Sequence, residues 1–99
     1  IMNKATILKH HDRCTTFVFA VDSFISYEDL CLLRKANSMV LAYMNVKNIH
    51  CFTLKENVLN FIIGGDCTEH EDVLEKNISF GLTFMDISSD YLGWVVDVS

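Results

Sequence analysis

Residues 50–70, HCFTLKENVLNFIIGGDCTEH, decide how this chain is built. Residues 49–54 and 58–63 are rich in β-branched and aromatic side chains. They read as two strands joined by the turn-like KEN of residues 55–57. Strands joined this tightly are antiparallel. GGDC ends the pair, and Thr68 with Glu71 three residues later has the spacing of a helix capping box. Glu69, Glu71 and Asp72 stand where a helix dipole favours acids. A short helix over 69–77 is therefore expected, with Val73 and Leu74 turned inward.

Working outward, TILK (6–9) is a short alternating run and CTTFVFAV (14–21) reads as a central strand, the two forming a hairpin through HHDR. Ser26 with Asp29 then signals a helix over 27–44. Leu30, Leu33, Val40 and Met44 recur at helical spacing, and Leu32, Ala36, Met39 and Tyr43 widen that stripe. Beyond the second helix, FGLTFMDI (80–87) and YLGWVVDV (91–98) alternate as two final strands around SSD. The expected order is ββαββαββ in a single domain over 1–99. That is a two-layer α+β fold, a mainly antiparallel sheet of about six strands with two helices on one face. Leu33, Val40, Phe17, Phe19, Phe61, Phe84 and Val95 form the expected core.

The composition supports a packed domain and narrows its partners. Of 99 residues, 51% are hydrophobic and 21% charged, ample apolar surface to offset chain entropy without metal or disulfide staples. The net charge of −5 argues against direct nucleic-acid binding, which wants a basic face, and suits a basic protein partner. Ile1 ahead of Met2 reads as an extra residue before the native start of a small complete protein. No stretch resembles a signal peptide or a membrane helix. A cytoplasmic protein is expected, with Cys14, Cys31, Cys51 and Cys67 as reduced thiols.

The quoted stretch also carries a His–Cys pair and a Cys-x-x-His. His50 and Cys51 are strand neighbours whose side chains point to opposite faces. At most one joins Cys67 and His70, giving three ligands where a structural zinc site takes four, so no metal is expected. Gly64, Gly65 and Asp66 resemble the Gly-Gly-Asp turn of cyclic-dinucleotide synthases over those residues alone. The acidic–aromatic continuation is missing, so they read as a turn. His10, His11, Asp12 and Cys14 read as a solvated loop, because a Cys–His nucleophile needs a third group to orient the imidazole. No phosphate loop or nucleophile elbow is present, and neither a catalytic residue nor a cofactor is expected.

The feature with most functional content is acidic. Asp66, Glu69, Glu71, Asp72 and Glu75 place five carboxylates within ten residues, without the alternating spacing of a calcium loop. They are the candidate partner-binding residues. The expectation is a small binding protein, most concretely an immunity protein or inhibitor that neutralises a basic toxin such as a nuclease. The alternatives are a structural or regulatory subunit of a homo- or hetero-oligomer, and a small enzyme dependent on the Cys14 thiol.

Overall fold

The structure, a computed structural model, describes residues 13–43 and 49–98. Strand β1 (Arg13–Val21) leads through a loop to helix α1 (Tyr27–Tyr43). Strands β2 (Ile49–Lys55) and β3 (Val58–Gly64) form the expected hairpin. A single 3₁₀ turn (Thr68–His70) runs into helix α2 (Glu71–Phe84), and β4 (Ser89–Val98) closes the chain.

The strands pair antiparallel in the order β2-β3-β1-β4. β1 and β2 are thus parallel with β3 between them, and β3 and β4 are parallel with β1 between them. Each parallel pair is bridged by one helix, the interleaved split β-α-β arrangement known from ferredoxin-like sandwiches. The two crossovers run in opposite directions between strands of opposite polarity. The right-handed crossover rule therefore places both helices on the same face.

The α+β class and the antiparallel sheet agree with expectation, and the six strands do not: the sheet has four among the described residues. The TILK segment lies outside the described residues. Both edges of β1 are taken, by β3 from Cys14 to Ala20 and by β4 from Arg13 to Val21, leaving none for the expected hairpin partner. FGLTFMDI is not a strand either. It continues the second helix, expected to stop at Asn77, for two further turns to Phe84.

The alternation of Phe80, Leu82 and Phe84 suggested a strand, but the period that governs burial is helical. Leu74, Ile78 and Leu82 are the buried positions of α2, whereas Val73, Phe80 and Phe84 are exposed. The helix stops in a Schellman motif: Ile87 N–H donates to Leu82 O (2.9 Å) and Asp86 N–H to Thr83 O (3.0 Å). Asp86 takes the left-handed conformation, φ 62°, that glycine normally fills there, so the usual stop signal is missing from the sequence.

The core lies between the sheet and the helices. Phe17, Phe19 and Val21 of β1 and Leu59, Phe61 and Ile63 of β3 meet Ile25, Leu33, Leu74, Ile78, Leu82 and Ile87. Val95 points away from this layer and, like Phe84, is exposed, contrary to expectation; the side chain of Val40 lies outside the described set. The helices cross antiparallel where Asn77 Nδ2 donates to Asn37 Oδ1 (2.6 Å). Buried Asn37 in turn donates to Leu33 O (2.8 Å), so this polar pair fixes the helix register while satisfying itself.

Candidate functional site: the acidic end of α2

The acidic residues are set in place from the end of β3. Thr15, fully buried in β1, donates its hydroxyl to Gly65 O (2.7 Å) and accepts from Cys67 N–H (2.9 Å). Those bonds pin the turn between β3 and the 3₁₀ segment against the central strand. Gly65 has φ +92°, open to glycine at little cost. Asp66 then caps the 3₁₀ turn: its Oδ1 accepts from Thr68 N–H (3.1 Å) and from the Thr68 hydroxyl (2.7 Å). The expected Thr68–Glu71 capping box does not form: Thr68 lies within the 3₁₀ turn, and the N-cap position of α2 falls to His70, which makes no side-chain cap bond.

Glu71 is turned instead toward the sheet. Its Oε2 accepts a 2.8 Å hydrogen bond from the hydroxyl of Tyr91 on β4. The Tyr91 ring lies 5.1 Å from that of Phe19 and 6.4 Å from that of Phe17, so its position is set by the core. Burial pushes the Tyr91 hydroxyl well above the ordinary phenol range. The hydrogen bond to Glu71 and the charges of Glu71, Glu75 and Asp72 push it the same way. Of the five candidate acids, Glu71 therefore touches this phenol, while Glu75 and Asp72 act on it through their charge alone.

The five acids divide by role. Asp66 shapes the turn and Glu71 anchors α2 to β4. Glu69 and Asp72 are exposed and Glu75 is half-buried. His70 Nε2 lies 3.4 Å from Glu69 Oε1. Trp94 stands three residues beyond Tyr91 on β4, opposite Phe17, and is 43% exposed. Sequence reasoning isolated the acids but missed the Tyr91–Glu71 bond, which joins residues twenty positions apart on different elements.

The two buried thiols among the described residues, Cys14 and Cys67, offer little reactivity. Cys14 is fully buried. Cys67 donates to Gly64 O (3.8 Å), and burial pushes its thiol up to about 11. A nucleophilic or metal-binding cysteine needs the opposite shift. Cys31 is exposed. Among the described residues no three histidine, cysteine or acidic side chains are grouped to hold a metal ion. His10 and His11, and the side chains of His50 and Cys51, lie outside the described set. No described helix is long and apolar enough to cross a membrane. The chain matches no protein-family model, no curated protein and no solved structure.

Proposed function

We propose that this is a small binding protein which occupies the surface of a basic protein partner. The most concrete form is a cytoplasmic immunity protein or inhibitor that covers the active surface of a basic toxin such as a nuclease. The observation that carries the reading is the assembly around Tyr91. Glu71 at the start of helix α2 holds the Tyr91 hydroxyl of β4, Glu75 and Asp72 act on it through their charge, and half-exposed Trp94 stands on the same strand and face as Tyr91. Desolvated aromatics ringed by charge are the usual anatomy of a binding hot spot. The carboxylates would steer a cationic partner and fix its orientation, while Trp94 supplies affinity.

The experiment is affinity capture at about physiological salt, where surface charges are screened beyond about 8 Å. The wild-type chain is compared with Glu69→Lys/Asp72→Lys/Glu75→Lys and with Trp94→Ala. A basic protein retained by the wild type and lost from both variants is the expected result. Equal retention by all three, or no specific protein on the wild type, overturns the proposal.

A further inference from the structure

A second surface, on the opposite flank of α2, is apolar rather than acidic. Asn77 and Gly81 face α1 at the helix crossing. At 3.6 residues per turn, Val73, Phe80 and Phe84 come next around α2, on the side away from the sheet. Because the helices are antiparallel, Leu32, Ala36 and Met39 occupy the matching flank of α1. Together they line one groove along the crossing. Its side chains are strongly exposed: Phe84 86%, Met39 77%, Phe80 72%, Leu32 55% and Val73 51%.

We propose that a second copy of this chain docks on this groove, giving a two-fold dimer with the four helices inside and both sheets outside. Area is the first argument. At about 200 Å² per aromatic side chain and about 30 Å² per aliphatic carbon, the groove exposes on the order of 500 Å² of apolar surface. A standard interface takes about 800 Å² per partner, of which roughly 65% is apolar in homodimers. The groove meets that requirement.

Charge selects the occupant. The groove is rimmed by Glu28 and Lys35 on α1 and by Asp72 and Lys76 on α2, all exposed. A basic partner would meet two lysines here and an acidic one two carboxylates. An identical copy brings both signs, and a two-fold axis lays the rim on itself, where opposite charges can pair. The rim sums to zero although the chain carries −5, so self-association at this face escapes the general repulsion between copies. Trp94 and the half-buried Glu75 lie on the other flank of α2. The two surfaces share Asp72 at their boundary, so Glu75→Lys and Trp94→Ala are the variants that test the function proposed above without altering the groove or its rim.

The test is the mass of the full chain by light scattering and sedimentation from about 1 μM to 1 mM, a range spanning weak to moderate dimers. The expected result is a mass that doubles with concentration. Phe80→Ser/Phe84→Ser should raise the dimer dissociation constant at least tenfold with an unchanged circular dichroism spectrum, since both side chains are exposed. Val18→Thr/Ile62→Thr, on the face of the sheet away from the helices, should leave it unchanged, as should Glu75→Lys. A wild type that stays monomeric overturns the proposal. So does a dimer that survives Phe80→Ser/Phe84→Ser, or one lost only in the sheet-face variant.

Discussion

Residues held in unusual conformations mark where this sequence is least ordinary. Glu56 (φ 53°) and Asn57 (φ 62°) form a two-residue hairpin loop with both positions left-handed, as a type I′ turn requires. Asparagine suits such a position; glutamate does not. Asp86 has the same problem at the end of α2, and a left-handed non-glycine residue costs roughly 1–2 kcal/mol. Asp86→Gly should therefore raise stability by about 1 kcal/mol, measured as a higher urea midpoint at constant slope. Glycine lowers stability by adding freedom to the unfolded chain, and a neutral or negative result would show that this outweighs the relieved strain. The residue-scale test of the acidic surface is Glu75→Lys, because Asp66 and Glu71 also hold the fold together. A variant of Glu71 loses the Tyr91 bond and mixes stability with docking. Replacing Tyr91 by Phe should cost about 1 kcal/mol for the same bond, with Glu71 left free to reach water.

At the scale of elements, the α1–α2 crossing is a close fit. A Cβ on Gly81 would lie 2.8 Å from Leu33 Cδ1, and Leu33 is fully buried. Helix propensity favours alanine over glycine by about 1 kcal/mol, while overpacking a core costs roughly 1–3 kcal/mol. Gly81→Ala should therefore destabilise the wild type slightly, by about 1 kcal/mol once the two are set against each other. Leu33→Ala alone should cost about 2–5 kcal/mol. In the Leu33→Ala background the new methyl group enters the space that leucine vacated, and Gly81→Ala should turn stabilising. A double-mutant cycle with no such change of sign would show that the helices simply move apart. The edge strand β4 carries a second device of this kind. Its register with β1 shifts between Val18 and Phe19, where Gly93 has φ +115°. A glycine bulge of this sort increases local twist, which keeps an edge strand from offering a flat template to other chains.

Over the whole molecule, the buried Cys67 thiol and the Tyr91 phenol both hold their protons more tightly in the folded chain than in the unfolded one. Between the ordinary thiol value of 9.0 and about 11, the unfolded chain has lost the Cys67 proton and the folded chain has kept it. Stability contributed by this group is fully present below pH 9.0 and falls as pH rises through that window. Tyr91, raised from 10.0, extends the loss to higher pH. Thermal melts from pH 8 to 11 should show a falling midpoint, with a smaller fall in Cys67→Ala than in the wild type. A midpoint flat across that range would mean that Cys67 and Tyr91 reach water without unfolding. Thiol labelling offers an independent check, since exposed Cys31 should react at an ordinary rate and Cys67 only after opening.

What the sequence determined by itself was local. The β2–β3 hairpin follows from two β-rich runs around a short turn, and the start of α1 from Ser26, whose Oγ accepts from Asp29 N–H at 3.1 Å. Phe17, Phe19, Phe61 and Leu33 are buried because strand and helix periods already placed them on inward faces. The five acids were equally legible, as charge density in a short window. Only the tertiary structure decided the rest. The length of α2 was settled when Leu74, Ile78 and Leu82 found a sheet to cover, against the alternation of Phe80, Leu82 and Phe84. The wide apolar stripe of α1 was read as core, but packing against one sheet and one helix covers only part of a helix's circumference. Leu32 and Met39 were thus left outside, with Phe80 and Phe84. Likewise Glu71 became an anchor and Glu75 stayed half-exposed because β4, twenty residues on in the chain, returns beside the start of α2. Spacing along a chain reports which residues share a face, and which of those faces meets another element depends on contacts between segments far apart in sequence.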